Sequence, residues 1–332
     1  MKAWVAPRYG PPELLRLQDV PDPVPASGEV VVRVRTIGLN FADCMARLGV
    51  YPRVPRPPFV PGMEVAGEVM SHGPGVVAPP IGACVAAVPI FGGHAEQVRV
   101  KAAFVRLLPA GMSFVDGASL AVAGLTADHG LFTVGRLRAG ERVAVTAAAG
   151  GVGTMAVQLA AHAGARVLAV ASTAAKRSLA RELGAAETVG YEGYREACHG
   201  GLDVVLDAVG GRLFRPGWRA LNPDGRYVLY GFAAAAGRRR IRWLRAAIEL
   251  LRMGLLAPST LVQPCRTLAG FNLSLVPELA GYLQERMARC EELIARGVVR
   301  PVVGTVLPFD QLPAAHALLQ SRASTGKVVV EL

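Results

Sequence analysis

Hydrophobic and polar positions follow two different patterns along the chain, and the pattern changes at about residue 123. Before that point, short alternating runs such as Glu29–Arg35 and Glu64–Met70 are separated by turns rich in Gly and Pro. Alternation with a period of two residues is typical of half-buried β-strands. The first 122 residues are therefore predicted to form a small antiparallel β domain.

Beyond residue 123, apolar strand-like runs alternate with longer helical patterns. This alternation predicts βαβ units and a parallel sheet covered by helices, which is a doubly wound α/β domain. The predicted strands are Arg142–Thr146, Arg166–Val170, Glu187–Val189, Asp203–Asp207, Arg226–Tyr230 and Thr267–Phe271. Six strands are what a dinucleotide-binding sheet requires.

The end of the chain carries helical patterns at residues 278–296 and 312–322 and a final strand-like run, Lys327–Glu331. We expect these elements to return to the first domain. The predicted organisation is a first domain of residues 1–122 and 274–332 and a nucleotide-binding domain of residues 123–273.

A glycine-rich turn follows the first strand of the predicted parallel sheet and precedes a helical pattern. Aligned with the G-x-G-x-x-G pattern of dinucleotide-binding turns, its three glycine positions hold Ala148, Gly150 and Gly153. The second glycine lets the backbone approach a pyrophosphate, the third lets the helix pack on the strand, and the helix N-terminus offers free N–H groups. Gly150, Gly151, Val152 and Gly153 are therefore candidate cofactor-binding residues.

The end of the second predicted strand bears on the choice of cofactor. NAD-binding chains usually carry an acidic residue there, which binds the ribose 2′-hydroxyl. This chain has Ser172 followed by Lys176 and Arg177. A hydroxyl and two cations suit a 2′-phosphate, so the pattern favours NADPH over NADH. The alternative is that the two cations belong to an ordinary solvated helix start.

Composition narrows the class of protein. Hydrophobic residues make up 52% of the chain and charged residues 18%, which is ample for buried sheets. No apolar stretch reaches the roughly 18 residues of a membrane span, and the N-terminus lacks a signal-peptide pattern, so we expect a cytoplasmic protein without stable membrane insertion. The five cysteines are scattered and never in metal-ligand spacing, which predicts neither a disulfide framework nor a zinc site.

Positive charge is the other feature of the composition. The formal net charge is +11, which favours phosphate-bearing ligands, nucleic acid or anionic membranes without choosing among them. The stretch Arg238–Arg252 has the pattern of a basic amphipathic helix that could bind an anionic membrane or RNA. The alternative is a domain helix with a solvated cationic face. We expect no nucleic-acid partner.

Several motifs fall in order over nearly the whole chain. They are Gly38-Leu-Asn-Phe-Ala-Asp43, Gly49-Val-Tyr51, Pro61-Gly-Met-Glu-Val-Ala-Gly67, Gly92-Gly-His-Ala-Glu96, Gly124-Leu-Thr-Ala127, Ala147-Ala-Ala-Gly-Gly-Val-Gly153 and Ser324-Thr-Gly-Lys327. Together they resemble the zinc-independent quinone oxidoreductases of the medium-chain dehydrogenase/reductase superfamily. Residues 39–51 and 266–274 look most like the vesicle amine transport protein-like branch. The resemblance implies a GroES-like β domain, a Rossmann domain and a cofactor in the cleft between them.

The resemblance also implies roles for individual residues. Asn40 and Thr126 match positions at the nicotinamide end of the cofactor, and Tyr51 matches a tyrosine near the substrate mouth. Further matches lie around the adenosine phosphate and ribose, at Ser172, Lys176 and Tyr191, and along the cleft, at Gly231, Phe271, Asn272 and Lys327. Lys327 read alone could equally be a surface lysine at a strand end, and Tyr191 a packed aromatic.

The zinc ligands of related alcohol dehydrogenases are missing. Asn40 and Met63 stand near the positions of a Cys and a His that hold the catalytic metal there, and the structural cysteine cluster is absent from the sequence. Without such ligands a metal cannot polarise an alcohol, so alcohol dehydrogenation is not expected.

The sequence thus predicts an NADPH-dependent reductase that passes a hydride to a quinone or an α,β-unsaturated carbonyl compound, with Asn40 and Tyr51 as candidate catalytic donors. One alternative is an enoyl-thioester reductase of lipid or polyketide assembly. Another is a non-catalytic NADPH-binding protein that associates with membrane or RNA. The last predicted strand, Thr267–Phe271, would lie at an open sheet edge, which predicts a homodimer.

Overall fold

Two large β-sheets organise the chain. A computed structural model describes residues 1–235, 237, 243–254, 259–262, 264–276 and 279–332. Its strands are β1 (Lys2–Val5), β2 (Arg16–Asp19), β3 (Glu29–Leu39), β4 (Val65–His72), β5 (Cys84–Ala87), β6 (Gln97–Lys101), β7 (Val105–Leu107), β8 (Arg142–Thr146), β9 (Arg166–Val170), β10 (Glu187–Val189), β11 (Leu202–Asp207), β12 (Leu221–Leu229), β13 (Thr267–Gly270), β14 (Val303–Pro308) and β15 (Lys327–Glu331).

Helices cover both sheets. They are α1 (Phe41–Arg47), α2 (Phe114–Gly117), α3 (Ala121–Asp128), α4 (Gly151–His162), α5 (Ala174–Glu182), α6 (Tyr194–Ala197), α7 (Phe214–Arg219), α8 (Trp243–Met253), α9 (Ser259–Val262), α10 (Leu279–Ala295) and α11 (Leu312–Ser321). A π-helical segment, His129–Val134, continues α3. Among the described residues, no helix combines the length and apolar character needed to cross a bilayer.

The second sheet has six parallel strands in the order β10-β9-β8-β11-β12-β13. The chain therefore starts at β8 in the middle, runs outward to β10, then crosses over and continues from β11 to β13. This is the Rossmann strand order, and it confirms the doubly wound fold and all six predicted strands. Two buried valines of β8, Val143 and Val145, pack in one core with Leu125 of α3 and Met155 of α4.

The first sheet has the order β14-β15-β3-β4-β5-β7, with β6 also paired to β3, and it forms the GroES-like part of the fold. Its pairings are antiparallel except for β14 with β15. A separate ladder joins β1 and β2. The antiparallel β domain predicted for the start of the chain is therefore confirmed.

The end of the chain returns to this first sheet, because β15 pairs with β3. Strand β14 was not predicted from the sequence. It lies at the sheet edge and alternates between half-buried and exposed positions, with Gly304 and Pro308 among the exposed ones. Helix α10 instead adds Met287 and Leu293 to the core of the parallel sheet. The exact domain boundaries at 122 and 274 stay a prediction.

Candidate functional site

The glycine-rich turn connects β8 to α4 at the carboxyl ends of the parallel strands, where ligands of open α/β sheets bind. Gly150 is the residue before the first turn of α4, and its N–H donates to the carbonyl of Ala147 at 2.9 Å. A Cβ on Gly153 would come within 2.3 Å of the Ala147 carbonyl oxygen, so only glycine lets the helix pack this close. A Cβ on Gly150 would meet just this oxygen, at 3.3 Å, which leaves its outer side open for a phosphate.

The loop before β15 lies directly on this turn. The N–H of Gly326 donates to the carbonyl of Ala149 at 2.7 Å, and Gly150 and Gly326 form an isolated parallel bridge. A Cβ on Gly151 would approach Cδ of Lys327 to 2.8 Å. The first sheet therefore supplies one wall of the candidate phosphate site.

A group of cations surrounds the end of β9. The ammonium of Lys176 donates to the carbonyl oxygen of Arg322 at 2.8 Å, and burial lowers the pKa of this lysine. Arg322 ends α11 in a left-handed conformation, with φ of +66°. Burial raises the pKa of Tyr191, and the positive charge of Arg322 opposes that rise. Lys176, Arg322 and Tyr191 are thus neighbours, although 131 or more residues separate Arg322 from the other two in the chain.

Two further predicted residues flank this group. Ser172 is exposed just after β9. Arg177 lies on α5, with its guanidinium 3.4 Å from the carbonyl oxygen of Ala171. Next to Ser172, the hydroxyl of Thr173 caps α5 by accepting from the N–H of Lys176 at 3.2 Å. The residues fit a 2′-phosphate: they offer a hydroxyl and several cations at the start of a helix, where anions are favoured.

A buried polar cluster lies at the other end of the site, and Asn40 is at its centre. The Asn40 amide nitrogen donates to the carbonyl of Gly38 at 3.2 Å and to Oε2 of Glu64 at 3.0 Å. The ammonium of Lys327 donates to Oδ1 of Asn40 at 2.8 Å and to Oε2 of Glu64 at 2.5 Å. Only 4% of Lys327 is exposed, so the alternative of a surface lysine is wrong.

Two carboxyl groups support this cluster. Oε1 of Glu64 accepts from the N–H of Val122 at 2.8 Å and so ties α3 to β4. Oδ2 of Asp43 accepts from the N–H of Asn40 at 2.8 Å, which fixes the loop that begins α1. Burial raises the pKa of Asp43 to about 7.

Tyr51 reaches across from the first domain to the segment after β13. Its hydroxyl is 3.0 Å from Oδ1 of Asn272 and 3.1 Å from Oγ of Ser274. Burial raises the pKa of this phenol, so it is a proton donor at neutral pH. The contact closes one side of the cleft between the two parts of the molecule.

The remaining predicted residues lie along the same edge of the parallel sheet. Thr126 is buried on α3, and its hydroxyl donates to the carbonyl of Val122 at 2.6 Å. Gly231 follows β12, where a Cβ would come within 2.7 Å of the Ala208 carbonyl oxygen. Phe271 follows β13 and packs its ring against that of His129, with centroids 4.6 Å apart. The structure thus gathers Asn40 and Lys327 at Glu64, which also binds Val122 on the helix of Thr126, and it places Tyr51 beside Asn272.

Comparisons with known proteins agree with this geometry. The alcohol dehydrogenase GroES-like domain family matches residues 26–127, and the zinc-binding dehydrogenase family matches residues 183–330. A mouse quinone oxidoreductase is 30% identical over 347 residues, spanning 100% of this chain and 98% of its own. The chain belongs to the quinone oxidoreductase group of medium-chain dehydrogenases/reductases.

Two more proteins are similar to this chain over nearly its whole length. The synaptic vesicle membrane protein VAT-1 homologue of Danio rerio is 32% identical and covers 99% of this chain and 69% of its own length. The quinone oxidoreductase of Thermus thermophilus, solved alone and with NADPH, is 38% identical with a TM-score of 0.84 over all of both chains. The predicted family is therefore confirmed.

Metal ligation is a separate question, because one of the matched families is described as zinc-binding. The part of the chain that the structure describes contains no group of three or more His, Cys, Asp or Glu side chains placed to hold a metal ion. Asn40 and Met63, which the family resemblance implies stand near the zinc-ligand positions of alcohol dehydrogenases, carry an amide and a thioether. An amide and a thioether are poor ligands for a hydrolytic or Lewis-acid zinc, so the donor set does not fit that metal.

Sequence reasoning missed three members of the site: Glu64, Asp43 and Arg322. A signal existed for the first, because Glu64 is a carboxylate immediately before an apolar strand, and such a residue needs a partner when buried. Arg322 gave no local signal, since its contact with Lys176 depends on how α11 packs across the nucleotide turn.

Proposed function

We propose that this chain is an NADPH-dependent oxidoreductase that transfers a hydride to an electron-poor carbonyl compound, either a quinone or an α,β-unsaturated carbonyl, without zinc. The observation that carries the proposal is the path of residues 326–327. They rest on the phosphate-binding turn at one end and reach the Asn40 cluster at the other. A dinucleotide on this turn would therefore place its second half beside that cluster.

The preference for NADPH rests on charge. Lys176, Arg177 and Arg322 lie around Ser172, at the place where an NAD-binding chain needs a carboxylate. A 2′-phosphate carries negative charge that these cations can neutralise through charge-assisted hydrogen bonds. The NADPH complex of the Thermus quinone oxidoreductase, at 38% identity, supports the same cofactor.

When bound, the nicotinamide supplies the hydride. The chain's own task is to hold the acceptor in place and to meet the negative charge that develops on its oxygen. Asn40 and Tyr51 remain the candidate catalytic donors, one on each side of the cleft. Both side chains already have protein partners, so they would also fix the shape of the pocket.

A panel of acceptors tests this function. Purified protein is mixed with NADPH or NADH and a quinone, an enone or an enoyl thioester, and the loss of reduced-nicotinamide absorbance is followed. We expect turnover with NADPH and a quinone or enone, and a much lower kcat/KM with NADH. Reduction of the thioester alone would favour the enoyl-reductase alternative, and oxidation of neither nucleotide with any acceptor would refute the proposal.

A second candidate function has one specific observation in its favour, the apolar outer face of α8. Trp243, Leu244 and Leu251 are 72%, 77% and 77% exposed, whereas Glu249 and Ala246 are buried. Residues 238–242 of the basic stretch lie outside the described residues, but the sequence places four arginines among them. Apolar side chains next to clustered cations suit an anionic membrane surface better than a second copy, whose cations would repel.

Vesicle sedimentation tests this candidate. We expect the protein to pellet with vesicles of anionic phospholipid at low salt and to be released by a Leu244→Ser, Leu251→Ser double variant or by high salt. Binding to neutral vesicles that is equally strong, or binding to RNA alone, would argue against a membrane role.

A further inference from the structure

Lys327 is the most buried cation at the candidate active site. It begins β15, and its ammonium lies between Oδ1 of Asn40, at 2.8 Å, and Oε2 of Glu64, at 2.5 Å. Glu64 is fully buried. Removing a charged pair from water costs several kcal/mol per ion, and an apolar pair would often be at least as stable. The presence of such a pair at this site therefore indicates a functional role.

The position of this ammonium follows from the chain around it. Gly326 is anchored to the phosphate-binding turn through Ala149, and the side chain of Lys327 then passes against Gly151. The ammonium therefore ends beyond the turn, at Asn40. Its two partners are residues of the first domain rather than the backbone of the turn.

A count of donors separates Lys327 from its neighbours. An ammonium has three N–H groups, and the described residues accept two of them. The two amide hydrogens of Asn40 go to Gly38 and Glu64. The single hydroxyl hydrogen of Tyr51 has Asn272 and Ser274 as acceptors. Lys327 is thus the donor in this group with an N–H to spare.

The carboxylate of Glu64 holds this ammonium in position. It accepts from Lys327 and Asn40 through Oε2 and from Val122 through Oε1, so its own position is fixed from three directions. A preorganised cation in a water-poor site stabilises a developing negative charge more strongly than one in solvent.

We propose that Lys327 is a catalytic residue whose ammonium donates its third N–H to the acceptor oxygen on which negative charge develops. This inference rests on the proposed function. The hydride would leave the reduced nicotinamide with the electron pair of the C–H bond that breaks, and it would form a new C–H bond, or an O–H bond for direct attack on a quinone oxygen. The displaced π electron pair moves to the acceptor oxygen, and the cofactor is left oxidised. A proton from water completes the reduced product, and Lys327 keeps its own.

The test replaces Lys327 with Met, which keeps the length of the side chain and removes the charge. Because this change leaves Glu64 buried and unpaired, the double variant Lys327→Met, Glu64→Gln is made as well. Measured are NADPH Kd by fluorescence, kcat with a quinone, and the absorbance of 4-nitrophenol titrated in the presence of the protein and NADP⁺. Lys176→Ala is the control that alters a phosphate-binding cation only.

For both Lys327 variants we expect kcat to fall by about 100-fold, the usual effect of losing one donor to a developing oxyanion, with NADPH Kd within about threefold of wild type. Wild-type protein should lower the pKa of bound 4-nitrophenol, and the Lys327 variants should not. The Lys176→Ala control should weaken the NADPH Kd and leave the lowered pKa of bound 4-nitrophenol as it is in the wild-type protein.

These measurements distinguish an incorrect role for Lys327 from an incorrect proposed function. If both Lys327 variants bind NADPH far more weakly but keep kcat at saturation, the lysine is a phosphate anchor and the inference is overturned. Unchanged turnover and an unchanged nitrophenol pKa would overturn it as well. If wild-type protein turns over no acceptor but still lowers the nitrophenol pKa through Lys327, the donor role stands and the proposed function falls.

Discussion

Asp43 is a carboxyl group that the fold holds away from water. It is fully buried, Oδ2 accepts from Asn40, and Oδ1 has no hydrogen-bond partner among the described residues. Burial disfavours the charged form and raises its pKa to about 7, whereas the unfolded chain has an ordinary aspartate. The native state therefore binds a proton that the unfolded state releases between about pH 4 and pH 7.

The sign of the effect on stability follows from this difference. A raised pKa contributes stability at low pH that is lost as the pH rises through the folded-state value. We expect Asp43→Asn, which removes this titration, to gain stability relative to wild type between pH 5 and pH 8. About three pKa units correspond to a limit on the order of 4 kcal/mol, or several degrees of Tm.

Differential scanning fluorimetry at both pH values measures this gain. The exposed Asp310→Asn is the matched control and should keep a constant Tm difference from wild type. Burial lowers the pKa of both His94 and His316, so between pH 5 and pH 8 they change charge only in the unfolded chain, and this effect is the same in all three proteins. A Tm difference for Asp43→Asn that does not change with pH would contradict the prediction.

Lys176 gives a second prediction at the residue scale. If its ammonium binds the 2′-phosphate, Lys176→Ala removes a charge-assisted hydrogen bond worth about 1 to 3 kcal/mol and weakens NADPH by roughly 5- to 150-fold. NADH lacks that phosphate and should bind almost as before. Isothermal titration with both nucleotides measures the effect, and Arg181→Ala on the same helix, whose guanidinium contacts Thr188, is the control. Equal losses for NADPH and NADH would refute the assignment.

Site residues could be predicted where the sequence immediately around them carries a recognisable pattern. Ser172 and Lys176 were found because local spacing after a strand fixes their place at its carboxyl end. Asn40 was identified by its match to a family position at the nicotinamide end of the cofactor. The partners of these residues were not predicted, because Lys327 and Arg322 approach from the far end of the chain. The bond between Lys327 and Asn40 spans 287 residues.

At the scale of elements, the turn between β8 and α4 contains two glycines that are needed for different reasons. Gly153 is needed for packing, since a Cβ would lie 2.3 Å from the Ala147 carbonyl oxygen and 2.7 Å from the backbone of Ala148. Gly150 has no such crowding, and its φ of −85° is open to any residue. Glycine is expected at position 150 because the absence of a side chain lets a phosphate approach the backbone closely.

The pair Gly150→Ala and Gly153→Ala tests this separation. We expect Gly150→Ala to keep the wild-type Tm but to bind NADPH at least tenfold more weakly, because the new methyl group occupies the phosphate's place. Gly153→Ala should lower the Tm by several degrees, because the helix must shift. Thermal melts and fluorescence titrations measure both quantities. A Gly150→Ala protein with wild-type affinity would mean that no phosphate lies on this turn.

Elements with strong local patterns were predicted well. The six parallel strands are apolar runs bounded by turn residues, and each lies within a few residues of its predicted position. Strand β14 escaped because an edge strand with Gly304 and Pro308 lacks a buried face to mark it. No local pattern predicts the partner of His129, because the fold brings the hydroxyl of Tyr282, 153 residues away in the chain, to within 2.6 Å of its Nδ1.

At the scale of the whole molecule, the two sheets are joined by segments of one sheet that contact loops of the other. Strand β15 belongs to the first sheet, yet the residues before it sit on the nucleotide turn of the second. Tyr51 and Asn272 make the reciprocal contact from the first domain to the last strand of the parallel sheet. Such crossings have no local sequence pattern, so the family resemblance predicted the residues at the cleft but not which of them contact one another.

The free edge of the parallel sheet gives the last prediction, a homodimer. Strand β13 pairs with β12 on one side, and no other described strand pairs with its outer edge. Leu268 on β13 is 41% exposed. An unpaired, partly apolar edge of four residues invites an antiparallel partner, and a second copy related by twofold symmetry supplies the same edge.

Charge placed on this edge should break the dimer. We expect wild-type protein to have twice the monomer mass in multi-angle light scattering and Leu268→Lys to shift toward monomer at the same concentration, because two lysines would face each other across the twofold axis. Val306→Lys is the matched control, since Val306 is 44% exposed on β14, the edge strand of the other sheet. It should remain dimeric. A wild-type protein that stays monomeric at all accessible concentrations would show that there is no dimer. A dimer that is lost in Val306→Lys and kept in Leu268→Lys would place the interface at the edge of the first sheet, because the two edges differ chiefly in which sheet they extend.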